Sequence, residues 1–391
     1  MQHRIEELDA LRGVMLVWIT CTHLPTILSR YVNQPLGFFS AAEGFIFLSA
    51  LFTGRIYIRI AKRDGDGAMW RKLWMRTGKL YCYQLLLLAF AFMIEAPIAA
   101  RSNTPAVHNL LDFYFAAGQT RAFIDAALMV YRPPLLDILP VYITLLALTP
   151  FALMLGTRFG WKYALTGGFT LWLLAQFGFR SFVYHAEARA FGLQIPLNEM
   201  GAFDLWAWQL WWLVGLWLGA RWANDDFSLG WVKRVTIPAA IVAVFFLVLR
   251  YAQLDGMLTL GKSGLLLDKW DFGLGRLIDF TAVAVLAIGF RSALSPLAIR
   301  PLVMLGQSSL PVFCVHLLCV FFALTIMKND PILRDWKAIA VILGSLSALL
   351  LTAKVATHRR AKAGRNRAGS PEVSTSPNDV YEPGLATEKI S

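Results

Sequence analysis

The sequence predicts an all-α integral membrane protein of about ten transmembrane helices, with the N- and C-termini cytoplasmic, and three observations predict it. Of the 391 residues 57% are hydrophobic, with 14 Trp and 27 Phe among them, more apolar side chain than a soluble domain buries. Mean hydropathy is correspondingly high, at +0.54. Stretches of roughly 18 to 25 mostly apolar residues, the length that crosses about 30 Å of hydrocarbon, recur along nearly the whole chain. Basic residues gather in alternate gaps between those stretches, which is the bias that orients spans.

The spans read at 10–28, 37–60, 77–98, 135–155, 161–179, 205–221, 232–250, 276–293, 303–326 and 336–356. Each is expected to be a helix, because lipid leaves a spanning backbone no other hydrogen-bond partner. The first run holds charged residues at its start and has no small-residue cleavage site behind it, so it stays as the first helix. The gap after the second span carries Lys62, Arg63, Arg71, Lys72 and Arg76, and the chain end carries Arg359, Arg360, Lys362, Arg365 and Arg367. Both belong in the cytoplasm. Short basic gaps with Arg158 and Lys162, with Arg221, Lys233 and Arg234, and with Arg291 and Arg300 fall on the same side. The long gaps 99–134, 180–204 and 251–275 then face outward, with acids such as Asp112, Asp125, Glu187, Glu199 and Asp204. Residues 1–357 form one transmembrane domain, and 358–391, rich in Ser, Pro, Lys, Arg and Glu, read as a disordered cytoplasmic tail.

The net charge of +12 needs no nucleic acid, since inward loops and tail meet anionic headgroups of the lipid bilayer. Cys21, Cys82, Cys314 and Cys319 all fall within spans, show no metal-ligand spacing and read as small apolar fillers. No metal site is expected.

Ionisable groups inside hydrocarbon are costly, so each one is a candidate for function. The first helix holds Asp9, Arg12 and His23; eleven residues at about 1.5 Å each separate the arginine from the histidine by about 16 Å. The second helix holds Glu43, whose depth in an antiparallel pair matches that of His23. A carboxylate on one ring nitrogen would fix the tautomer and leave the other nitrogen free as a general base; the bland alternative is a buried hydrogen bond that locks two helices. His316 on the ninth helix reaches similar depth, or else it bonds a carbonyl freed near Pro311. Arg12 either snorkels to headgroups or holds a phosphate-bearing ligand, with Asp9 one turn earlier and Gly13 permitting close approach. Arg276 and Asp279, three residues apart, are expected to pair with each other. Trp206, Trp208, Trp211 and Trp212 read as interface belt or lipid-facing bulk, with sugar stacking the alternative.

An imidazole deep in a membrane cavity with a cation at the inner face suits acyl transfer from a cytoplasmic phosphate-bearing donor to an outward hydroxyl. An arm of pantetheine length spans that separation, and Ser40, Gln209 or amides beside Gly44 are candidate donors to the oxyanion. The same buried His and Glu would equally serve as the proton relay of a proton-coupled transporter, and a third reading is a flippase or assembly partner for envelope polymers.

The Arg12, ten residues, His23 spacing resembles the signature of acyltransferase-3 membrane proteins. Further blocks resemble the glucan biosynthesis protein C (OpgC) branch of that superfamily: Leu8-Asp9-Ala10-Leu11-Arg12-Gly13, Thr22-His23-Leu24-Pro25, Ser40-Ala41-Ala42-Glu43-Gly44-Phe45, Asp137-Ile138-Leu139-Pro140-Val141-Tyr142, Ala207-Trp208-Gln209-Leu210, Gly275-Arg276-Leu277-Ile278-Asp279-Phe280 and Leu305-Gly306-Gln307-Ser308-Ser309-Leu310-Pro311. The likeness covers roughly residues 5 to 355, with Ala50 standing where a glycine is expected. It implies a ten-helix bacterial inner-membrane succinyltransferase, with no bound cofactor, that takes succinyl-CoA as donor and osmoregulated periplasmic glucan, a β-linked glucose polymer, as acceptor. Arg12 and His23 match the signature pair. A succinyl donor brings a second carboxylate that needs a cation once out of water, and Lys269 and Arg276 are the candidates, with Arg180 behind them.

Overall fold

The computed structural model describes residues 6–368 apart from 103, 227–229, 231, 255, 257–265, 328–329 and 331. α1 (Glu6–His23) ends two residues before Pro25, and α2 (Ile27–Val32) is a short turn leading to α3 (Ala41–Asp64). Gly65 alone, at φ +84°, turns the chain from α3 into α4 (Asp66–Phe90). A π turn at Ala91–Glu95 carries α4 on into α5 (Ala96–Ser102), and α6 (Pro105–Leu110), α7 (Asp112–Ala117) and α8 (Gln119–Ala127) fold over that end of the bundle. There follow α9 (Ile138–Leu155), α10 (Trp161–Gln176), α11 (Phe179–Phe191), α12 (Leu205–Ala223), α13 (Val232–Leu254) and α14 (Leu274–Gly289). The chain closes through α15 (Arg291–Leu294), α16 (Arg300–Gln307), α17 (Ser309–Met327) and α18 (Asp335–Ala368).

Among the described residues six helical runs are long and apolar enough to cross a membrane: Ala41–Asp64, Asp66–Arg101, Ile138–Gln176, Val232–Gln253, Ser309–Met327 and Asp335–Lys362. They mark a membrane protein. Helices also stand at the other expected spans, but α1 opens on an acidic turn, α12 is rich in Trp, and α14 has only 16 residues. The spans expected at 135–155 and 161–179 are joined by a second π turn, Gly156–Gly160, and the one at 303–326 breaks at Ser308 into α16 and α17. α18 runs to Ala368, past the boundary drawn at 357; residues 369–391 lie outside the described ones.

Small residues set the closest helix contacts. α1 meets α16 backbone to backbone: a Cβ on Gly13 would lie 2.1 Å from the Leu302 carbonyl oxygen, and one on Gly306 would lie 1.8 Å from that of Asp9. Gly13 therefore admits a helix, not a ligand. Ala50 of α3 packs against Gly215 of α12, where a Cβ would come within 2.6 Å of the alanine methyl, so glycine on the partner helix preserves the close contact. Gly306→Val is expected to push α1 from α16 and cost about 1–3 kcal/mol of stability by overpacking. Thermal unfolding of the purified protein checks this against Gly344→Ala, a site with open space around it.

The core is where the structure departs most from the hydropathy pattern. Trp208 and Trp212 are 0% and 2% exposed, and Trp211 is buried between Phe47 and Phe280, so these three tryptophans of α12 line the bundle interior and not a lipid belt, while Trp206 is half-buried. Trp212 Nε1 donates to Thr149 Oγ1 at 3.0 Å, tying α12 to α9. The lipid-facing role falls to α13 and α18, whose Ile237, Ile241, Trp336 and Ile339 are all exposed.

Candidate active site

The end of α1 and the middle of α17 bring two imidazoles together. His23 Nδ1 lies 3.1 Å from His316 Nε2, and His316 Nδ1 lies 2.6 Å from the Phe313 carbonyl oxygen. A carbonyl only accepts, so His316 carries its proton on Nδ1 and offers Nε2 as an acceptor. His23 then donates from Nδ1, which leaves its own Nε2 with a free lone pair. His316 is fully buried while His23 is half-buried, so the open nitrogen belongs to the more accessible ring.

A narrow cleft runs from the Arg12 end of the bundle to Ile19 and Phe313, about one helical turn short of this pair. Arg12, Arg76, Tyr142 and Ser309 line one end, and Ile19, Leu80, Ile138 and Phe313 line it further along the same helices. Arg12 donates to Ser309 Oγ at the start of α17, and its guanidinium sits 6.0 Å from the Phe45 ring and 5.2 Å from that of Phe52. Arg76 donates to Tyr142 Oη at 2.9 Å and Thr53 Oγ1 at 3.2 Å. Phe45 stacks on Phe313 at 6.0 Å, and Phe313 lies 4.7 Å from His316, so an aromatic wall connects the arginine end to the histidines. The backbone of Asp9 helps fit α1 to α16, and its side chain is buried.

Glu43 does not orient His23. Its carboxylate is held by Arg276, whose Nε donates to Oε1 at 3.0 Å with Nη2 on the same oxygen. Its other oxygen takes the Ser40 backbone N–H at 2.9 Å and the Ser40 hydroxyl. Glu43 also lies nearer the Arg12 end than expected, since Gly44 beside it packs on Met15 and Phe39 on Trp18, both short of His23 on α1, and a fully buried guanidinium donating twice to its Oε1 holds it there. Ser40 is thereby committed to the cap of α3 and is not an oxyanion donor. Arg276 is likewise not paired with Asp279, whose Oδ2 instead accepts the N–H groups of Phe38 and Phe39 at 2.6 and 3.3 Å and latches the turn before α3 onto α14. Gln209 Nε2 donates to the Gly168 carbonyl at 2.6 Å and to that of Trp206, making it a tie between α12 and α10 and not a catalytic amide.

Lys269 comes in on the turn that precedes α14. Trp208 Nε1 donates to the Trp270 carbonyl and Trp172 Nε1 to that of Phe272, both at 3.0 Å, while Gln176 Nε2 holds the Asp271 carbonyl at 2.7 Å. This pinning fixes Lys269 over the ring faces of Trp270, at 4.9 Å, and Phe203. Burial pushes its ammonium below the ordinary lysine range, with the Glu43 charge opposing and Arg276 reinforcing. Burial also raises the nearby Asp204 carboxyl to about 6, although it caps α12 through the Trp206 N–H. Arg180 is occupied by the backbone carbonyls of Ala202 and Gly201.

Two polar groups escaped the sequence reading. Arg76 was placed with the loop cations, yet it turns inward to the cleft. Glu95, a carboxylate inside the span read at 77–98, is buried in the first π turn and accepts from Thr325 Oγ1 at 2.7 Å; its position in an apolar run was a legible signal. Compared with known proteins, a family model described as OpgC protein matches residues 4–361. No curated protein and no solved structure matches the chain.

Proposed function

The chain belongs to the OpgC protein family, and on that premise we propose that it is a membrane O-acyltransferase that moves a succinyl group from cytoplasmic succinyl-CoA to the glucose hydroxyls of osmoregulated periplasmic glucans. The topology that goes with this reading has ten spans in the bacterial inner membrane, both termini in the cytoplasm and the Arg12 end facing inward. One observation carries it: the polarity of the Phe313, His316 and His23 hydrogen bonds, which leaves His23 Nε2 as an open acceptor about one helical turn beyond Ile19 and Phe313, the last residues of a cleft that two arginines also line.

In this mechanism the donor's phosphates meet Arg12 and Arg76, and the pantetheine arm lies along the cleft with its thioester beside His23. His23 Nε2 takes the proton of the acceptor hydroxyl as that oxygen attacks the thioester carbonyl. The new C–O bond forms, the C–S bond breaks, and the departing thiolate receives the proton back from Nε2. His316 Nε2 accepts from His23 Nδ1 throughout, holding the ring in place and stabilising the imidazolium as it forms.

Mass spectrometry of periplasmic glucans from cells with and without the protein tests the reading. Loss of the succinyl mass increment supports it; an unchanged mass with a changed amount would favour transport or assembly instead. Arg12→Ala is expected to weaken succinyl-CoA binding about 10- to 100-fold, the worth of one charge-assisted contact, with glucan affinity unaltered. Titration calorimetry of the purified protein with each ligand checks it.

A further inference from the structure

Five cations named above stand around the path from cleft to histidines to the Lys269 turn, and the structure separates them by how each is occupied; Arg76 is held by Tyr142 Oη and Thr53 Oγ1 at the cleft's Arg12 end. Arg276 donates twice to Glu43 Oε1, Arg180 is spent on backbone carbonyls, and Arg12 lies at the opposite end of the cleft against Ser309. Lys269 sits over the faces of Trp270 and Phe203, and among the described residues its ammonium makes no hydrogen bond or ion pair. Its charge nonetheless reaches Glu43, Arg276 and Asp137, and His23 lies within that reach. Hydrogen bonds to the carbonyls of Trp270, Asp271 and Phe272, together with the Trp270 and Asp271 N–H groups donated to Asp268 Oδ1, keep its turn from moving.

We propose that Lys269 reads the distal carboxylate of a dicarboxylic acyl group and so sets the preference for succinyl over uncharged acyl donors. The inference rests on the acyl-transfer reading above. A thioester whose pantetheine arm runs in from the Arg12 end leads with its acyl chain, so a carbonyl placed at His23 points that chain onward, past the histidines toward the Lys269 turn. A carboxylate leaving water there requires a cation not already paired, and a half-buried ammonium with no ion pair among the described residues has the matching requirement. The acyl group's charge and the lysine's charge then satisfy each other only when the correct donor is bound.

The test compares purified full-length wild type, Lys269→Met and Lys269→Arg with succinyl-CoA and with butyryl-CoA, which has the same chain length but no distal charge. The succinyl-to-butyryl ratio of kcat/KM is expected to fall about 10- to 100-fold in Lys269→Met, the worth of a hydrogen bond to a charged group, and to stay near wild type in Lys269→Arg. Butyryl transfer by the methionine variant serves as its own folding control. An unmoved ratio, with both donors falling together, overturns the proposal and assigns the lysine to the acceptor or to folding. Wild type that transfers neither acyl group would instead overturn the acyl-transfer reading.

Discussion

His23→Ala is expected to lower glucan acylation by about 10²- to 10⁴-fold while the protein still inserts and folds, because it removes a general base and little else. The side chain is half-buried at the end of α1 and forms no ion pair, so its loss opens a modest space and breaks one hydrogen bond, to His316. His316→Gln should be milder in rate yet alter the pH–rate profile, since it removes the acceptor that fixes the His23 tautomer without removing the base. Initial rates across pH with purified variants check both. A His316→Gln profile identical in shape to wild type would mean that the second imidazole is packing alone.

Glu43→Gln is expected to be the most destabilising conservative change in the site, at about 3–5 kcal/mol, because it leaves the Arg276 guanidinium buried with no counter-charge. The double variant Glu43→Gln with Arg276→Met should recover much of that loss, since it removes both charges together. Thermal unfolding of the three proteins in one detergent measures the coupling. The residual activity of Glu43→Gln should keep the wild-type pH profile, as its carboxylate bonds Arg276 and Ser40 and not His23.

The contrast between these two residues shows what a single chain reveals of a membrane site. Hydropathy is a local property, so helices stand where apolar runs predicted them, and the shared depth of His23 and His316 followed from counting residues along the helices, whereas Glu43 falls level with Met15 and not with His23. Lateral partners are not local. Arg276 lies 233 residues from Glu43, and nothing in either neighbourhood announces the pair. One signal was nevertheless present: Ser40-Ala41-Ala42-Glu43 spells the capping box that ties this carboxylate to the start of its own helix. The tryptophans of α12 were opaque for a different reason, since a side chain facing lipid and one facing the bundle core are equally apolar. Only the indole N–H groups, which in Trp208 and Trp212 find partners inside the protein, mark the difference. Arg76 shows the same limit from the polar side, because a cation near the end of a helix reads as headgroup-facing until Tyr142 and Thr53 are seen to hold it inward.

The central claim is that His23, held by His316, is the base for direct transfer of an acyl group from a CoA thioester on one side of the membrane to a glucan hydroxyl on the other. The most direct measurement reconstitutes purified protein in proteoliposomes with succinyl-CoA on the Arg12 side and glucan on the opposite side, and reads the glucan by mass spectrometry. Wild type is predicted to add the succinyl increment and His23→Ala to add none. An equal increment from His23→Ala, or glucan that stays unmodified with wild type, would contradict the claim.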